Sequence, residues 1–312
     1  MEKSISPHIY TMKVPDGHNI SVYSWNEVDN PKAVLQIFHG MAEHIGRYQR
    51  FAQFMNNNGI IVIGNDHRGH GKTAQENGKI GVIGKNGFNK IVEDGHMLTM
   101  QLKQQYKNLP VFILGHSFGS FVGQEYITRY GNEIAGIILV GTAARLGAEV
   151  RLGKFLASVQ SRLMGEEKPS KLIEMLTFGT YNRRIVKPKT LLDWLSRDNA
   201  EVRKYIDDEY CGFTCSTGFY YYFFDGLLNL YKEEKLKSIP KNLPVYILAG
   251  QEDPVGCYGR KVQKLYGIIC DLGLSDINIK LYEGARHEIL NEVNRQEVSN
   301  DILVWIKSHL NT

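Results

Sequence analysis

Two hydrophobic patterns alternate along the chain. AVLQIF (33–38), IIVIG (60–64), VFILG (111–115) and IAGIILVG (134–141) are apolar almost throughout, as strands covered on both faces should be. Between them, residues 48–58, 88–107 and 118–130 carry the spacing of amphipathic helices. Ahead of this series, HIYTMK (8–13) and NISVYSW (19–25) flank Pro15, Asp16 and Gly17 and predict an antiparallel hairpin. The alternation stops near residue 143. Up to about 240 the chain reads as helix and loop with mixed charge and aromatic runs, and then PVYILAG (244–250) and INIKLY (277–282) restore the strands. The pattern predicts an α/β fold with a mostly parallel central sheet, a core of residues 1–142 and 241–312, an inserted mainly helical cap over 143–240, and a closing helix near 297–309.

Composition narrows the class. With 43% hydrophobic and 22% charged residues, 312 residues suffice for a full core plus an insertion. A net charge of +4 in a chain this long gives no case for nucleic acid. MEKSISPHIY lacks the apolar stretch of a secretory signal, and the longest apolar runs fall short of a membrane span, so a soluble, cytoplasmic protein is expected. Cys211, Cys215, Cys257 and Cys270 show no paired metal-ligand spacing; all four are expected to be reduced and buried.

The candidate chemistry centres on FILGHSFGSF (112–121), where Ser117 stands between two glycines just after a predicted strand and just before a predicted helix. A serine at such a turn is exposed at the carboxyl edge of the sheet, and Gly115 and Gly119 remove side chains that would clash in the bend. The backbone N–H of Phe118, at the helix N-terminus, lies where an oxyanion would form. An ordinary helix N-cap is the competing reading. A nucleophilic serine needs a base, and the base an orienting acid. PVYILAG runs into Gln251, Glu252 and Asp253, and INIKLY runs into Glu283, Gly284, Ala285, Arg286 and His287. Asp253 and His287 are the predicted acid and base, in the chain order serine, acid, histidine; Glu252 is the rival acid, expected to point elsewhere. His116 is expected to be a packed neighbour. In HGMAEHIGRY (39–48) the N–H of Met41 is the predicted second oxyanion donor, and His39, Glu43, His44 and Arg47 are read as a hydrogen-bonded network steadying that loop. His39, His44, His67 and His70 lie in two loops without the helical histidine pair of hydrolytic zinc sites, so neither metal nor cofactor is expected.

HGMAEHIGRY, NDHRGHGKT (65–73), GHSFG and ARHEILNE (285–292) together resemble the monoacylglycerol lipase and lysophospholipase group of α/β-hydrolases, a group related to the serine aminopeptidase-like hydrolases. WLSRDNAEVRKYIDDEYCGFTCSTG (194–218) is similar to the cap of bacterial lysophospholipase-like members, and the likeness runs from about residue 10 to 310. It implies an α/β-hydrolase fold, a Ser117, Asp253, His287 triad, oxyanion donors at Met41 and Phe118, and no cofactor. Phe118 stands where many relatives have Met, and Thr73 where Ser is common; neither change removes a catalytic group.

The cap carries softer clues. FYYYFF (219–224), with Phe213 and Trp194, is read mostly as core, with an acyl channel as the alternative. Arg183, Arg184, Lys187 and Lys189 are read as a solvated loop in preference to a contact with anionic lipid headgroups. Three functions remain distinguishable. One is a serine carboxylester hydrolase releasing fatty acid from monoacylglycerol or lysophospholipid esters through an acyl-enzyme, with a lipid or ester as partner and transient membrane contact through the cap. Another is an aminopeptidase or amidase, for which the run Asp207, Asp208, Glu209 would hold the substrate ammonium. The third is a non-catalytic binder, which would not need three triad groups. The first is the expectation, with oligomeric state left open.

Overall fold

The computed structural model describes residues 6–144 and 147–310. Eight strands form one sheet in the order β1-β2-β4-β3-β5-β6-β7-β8. The hairpin of β1 (His8–Lys13) and β2 (Asn19–Trp25) forms as the sequence predicts, pairing His8 with Ser24 and Lys13 with Asn19. β2 joins β4 (Ile60–Asn65) antiparallel; all later pairings are parallel, through β3 (Ala33–Phe38), β5 (Val111–His116), β6 (Gly136–Val140), β7 (Val245–Gly250) and β8 (Ile277–Tyr282).

Two-sided burial explains the unbroken apolar runs. Along β7, Val245, Ile247 and Ala249 face one hydrophobic cluster, while Tyr246 and Leu248 face another. The second cluster is closed by α1 (Gln49–Asn56) and α11 (Arg295–Ser308), through Phe51, Met55, Ile302 and Trp305. The first is closed by α3 (Gly87–Gln105), α4 (Phe118–Tyr130) and α10 (Arg260–Asp271). Two helices go beyond the predicted set: α2 (Gly71–Asn77) and α10, whose Val262, Leu265 and Ile269 turn inward. Cys270, next to Ile269 but rotated by about 100° on the helix, faces solvent. The expectation of four buried cysteines therefore fails: only Cys215 is buried, Cys211 and Cys257 are half-buried, and none is in a disulfide.

Between β6 and β7 run α5 (Ala148–Met164), α6 (Lys171–Phe178), α7 (Asn199–Asp207), α8 (Thr217–Leu230) and α9 (Glu233–Leu236). Helix α8 is built into the main core: Phe223 packs 5.0 Å from Phe118 and 5.8 Å from Phe88, centroid to centroid. Of FYYYFF, Phe219, Tyr220 and Phe223 are buried and the other three are half-buried. Arg183, Arg184, Lys187 and Lys189 are all exposed, as a solvated loop requires, and Arg184 lies over the Tyr258 ring at 3.6 Å.

The turn from β5 into α4 is closed by contact rather than by a loop. A Cβ on Gly115 would lie 2.4 Å from the Gly119 carbonyl oxygen, and one on Gly119 would lie 2.0 Å from that of Phe38. Neither neighbour can yield, because both are backbone. Gly119→Ala is therefore expected to lower stability by at least about 2 kcal/mol, as overpacking against an unyielding wall does. A urea unfolding midpoint equal to wild type would show that the turn has slack.

Candidate active site

Ser117 occupies the tip of that turn with φ 51° and ψ −117°, a conformation that L-residues rarely adopt. Its N–H donates to the Val140 carbonyl at 2.9 Å, which fixes the strained residue to the neighbouring strand. Oγ lies 2.9 Å from His287 Nε2, and His287 Nδ1 lies 3.0 Å from Asp253 Oδ2. Asp253, fully buried, also accepts the Val255 N–H on Oδ1 at 2.8 Å, so both of its oxygens are held. With Nδ1–H donating to the carboxylate, Nε2 is left to accept the serine hydroxyl. Glu252 is exposed and takes no part. The structure thus brings together the three residues predicted as a triad and leaves the rival acid outside.

Two forces act on His287. Burial disfavours the imidazolium, but the charge of Asp253 and its hydrogen bond outweigh burial and raise the pKa above its ordinary value. His116 packs beside it at 5.0 Å between ring centroids and Trp194 at 5.1 Å. His116 is the packed neighbour expected, with burial lowering its pKa.

Met41 and Phe118 both border the cavity that reaches Ser117. Phe118 opens α4, so its N–H has no intrahelical acceptor. Among the described residues, neither the Met41 nor the Phe118 N–H donates to a protein acceptor. The Met41 loop is held from several sides. The Gly40 N–H donates to Glu43 Oε1 at 2.5 Å, and the Tyr48 hydroxyl donates to the same oxygen at 3.0 Å. Ala42, at φ 53°, is pinned through its carbonyl by the Tyr205 hydroxyl at 2.8 Å and the Gly212 N–H at 2.9 Å. His39 donates from Nδ1 to the Gly40 carbonyl and accepts the His67 N–H on Nε2; His44 Nε2 lies 2.9 Å from Asp208. Of the four side chains read as a steadying network, Glu43, Arg47 and, through Gly40, His39 are joined, whereas His44 reaches out to Asp208 in the loop after α7.

One member of that network has no assigned role in the sequence reading. Glu288, next to His287, receives a bidentate pair from Arg47 at 2.8 and 2.7 Å, and Arg47 also bonds Glu43. Burial would raise the Glu288 pKa, yet Arg47 takes it down to about 2. A signal existed, an acid beside the predicted base, but its partner lies 241 residues away.

The cavity has a volume of about 530 Å³, within the range of small-molecule sites. Ser117, His287 and Glu43 border it along with Leu156, Ile173 and Phe223, so an apolar chamber meets a polar corner. Asp207, Asp208 and Glu209 are not among its lining residues. Tyr220, Phe223 and Phe224 do line it, so half of the FYYYFF run serves as chamber wall as well as core. Among the described residues one group has metal-ligand spacing: His44, Asp208 and Cys211.

The histidines divide sharply in their protonation. Burial, the dominant cause, pushes His67 down to about 3 and His70 to about 4. Their rings are therefore expected to stay neutral from pH 5 to 8 by nitrogen-15 NMR, while His287 titrates with a midpoint above 6.5. A His287 midpoint below 6.5 would mean that burial outweighs the stabilisation of the imidazolium by Asp253.

Residues 29–294 match the family described as serine aminopeptidase, S33 (Hydrolase_4). The monoacylglycerol lipase of Mycolicibacterium smegmatis is 27% identical over 290 residues, 92% of each chain. Human monoglyceride lipase is 25% identical, covering 98% of this chain and 91% of its own. The crystal structure of a thermostable carboxyl esterase from Bacillus coagulans, in complex with glycerol, superposes with a TM-score of 0.90 at 29% identity, covering 98% of this chain and 99% of the esterase. The fold is that of the α/β-hydrolases, and the chain belongs to the serine aminopeptidase S33 family.

Proposed function

We propose that the protein is a serine carboxylester hydrolase that releases fatty acid from monoacylglycerol-type esters, with Ser117 as nucleophile, His287 as base, Asp253 as orienting acid, and the Met41 and Phe118 N–H groups as oxyanion donors. The observation that carries this reading is the hydrogen-bonded chain Ser117–His287–Asp253 at the polar corner of an apolar chamber. Monoacylglycerol lipases and a carboxyl esterase among the relatives support the substrate class.

As Oγ bonds to the ester carbon, its proton passes to His287 Nε2, and the carbonyl oxygen takes the negative charge between the two backbone donors. The C–O bond to the alcohol then breaks, and His287 returns the proton to the departing oxygen. Water repeats the sequence on the acyl-enzyme and frees the fatty acid. The apolar chamber suits the acyl chain; the polar corner suits the alcohol. An amidase reading loses its main support, because the acidic run 207–209 that would have held an ammonium lies outside the cavity lining. In this reading residues 143–240 act as a cap over the core of 1–142 and 241–312.

A fluorophosphonate probe is expected to label Ser117, with labelling abolished in Ser117→Ala. Asp253→Asn is expected to cut kcat on the order of 10⁴-fold by favouring the wrong tautomer, and Glu252→Gln to leave it near wild type. Only neutral His287 accepts the proton, so kcat/KM should rise with pH through a midpoint above the ordinary 6.5. Turnover compared on monoacylglycerol, lysophosphatidylcholine and an aminoacyl-arylamide is expected to favour the first. A preference for the arylamide would sink the ester assignment.

We further infer that the cap meets lipid surfaces. Among the described residues no helix is long and apolar enough to cross a membrane. Helix α5, however, exposes Leu152, Phe155, Val159 and Leu163 on one face, and α6 exposes Leu172, Met175 and Leu176. Phe155→Ser with Leu163→Ser is expected to reduce sedimentation with phospholipid vesicles and leave turnover of a water-soluble short-chain ester unchanged. Equal sedimentation of variant and wild type would remove this face from the reading.

A further inference from the structure

We propose that His44, Asp208 and Cys211 form a binding site for one divalent metal ion of the zinc class, at the junction of the loop after β3 and the loop after α7. The donor atoms of the three residues lie within 4.8 Å of one another, and each residue is half-buried. His44 Nε2 is 2.9 Å from Asp208 Oδ2. Cys211 is in no disulfide, and among the described residues no hydrogen bond reaches its sulfur. An imidazole nitrogen, a carboxylate oxygen and a thiol thus converge from two distant segments, the Cys211 side chain also packing against the Trp194, Leu195, Tyr205 and Val255 cluster.

This donor set is one that zinc takes, at bond lengths of about 2.0–2.3 Å. Tetrahedral ligands at those lengths stand about 3.3–3.6 Å apart, so shifts on the order of 1 Å would close the site. The surroundings hold the two loops in place without the His44–Asp208 contact. The Gly212 N–H and the Tyr205 hydroxyl both bond the Ala42 carbonyl, the Cys211 N–H donates to the Asp208 carbonyl at 3.1 Å, and the Tyr210 N–H donates to Asp208 Oδ1 at 2.8 Å. Asp208 Oδ2 is then the oxygen left for the ion.

The proton balance is simple. Cys211 releases its thiol proton to solvent and binds as thiolate; the His44 proton moves to Nδ1, which among the described residues has no hydrogen-bond partner, and Nε2 binds the ion. Water completes the fourth position. None of the three ligands belongs to the Ser117 triad, so the site stands or falls apart from the hydrolytic reading.

Metal-free full-length protein titrated with Zn²⁺ by calorimetry, in buffers of different ionisation heat, is expected to bind one ion per chain with release of about one proton. The melting temperature should rise with added Zn²⁺. Co²⁺ is expected to produce a thiolate-to-metal absorption band in the near ultraviolet. Cys211→Ser should abolish the band and weaken Zn²⁺ binding at least tenfold, as should Asp208→Asn. If Asp208→Asn fails to fold, Cys211→Ser, whose sulfur holds no bond, carries the test alone. Absence of the band in the wild type, or a band and affinity that survive in Cys211→Ser, would overturn the proposal.

Discussion

A buried guanidinium joins the two loops on which the site depends. Arg47 side-chain exposure is 10%, and it lies between Glu43 at 4% and Glu288 at 6%. Glu43 holds the Gly40 N–H and so shapes the Met41 loop, while Glu288 follows His287 directly. Three charges out of water are costly unless every one is paired, and here they are. Removing the guanidinium would strand two carboxylates beside each other, so the arrangement is all or nothing. The position of His287 relative to the Met41 loop is thereby set by one side chain, although the two loops are far apart in the chain.

What was legible in the sequence follows from the range of the forces involved. Strands β3 to β7 announce themselves because both faces are buried and nearly every position is apolar, Gln36 of β3 being tolerated by its bonds to the Gly95 carbonyl and Thr99. The meeting of Ser117, Asp253 and His287 was legible because each follows a strand end on the same edge of the sheet. Helix α2, GKTAQEN, offers a single apolar residue, Ala74, and its periodicity is therefore blank. The Arg47–Glu288 pair left no trace, since an ion pair across 241 residues has no local period. Burial of individual cysteines was equally hidden, because one step around a helix separates Ile269 inside from Cys270 outside.

The inserted segment is uneven in how firmly it is held, and this bears on how a lipid would enter. Helix α8 shares the core of α3 and α4 so closely that a Cβ on Gly226 would lie 2.2 Å from the Phe88 ring. It cannot lift without unpacking Phe118, the residue next to Ser117. Helix α5 packs closely on α8, where a Cβ on Gly153 would lie 2.8 Å from the Phe224 ring. Helix α6 is different: only Ile173 of it is buried, and Leu172, Met175 and Leu176 are exposed. Segments with few buried contacts open at lower free energy than the core does. If the substrate is a lipid, the wall able to yield is therefore α6, whose exposed Leu172, Met175 and Leu176 already match an acyl chain, while α8 keeps the Phe118 side of the chamber in place.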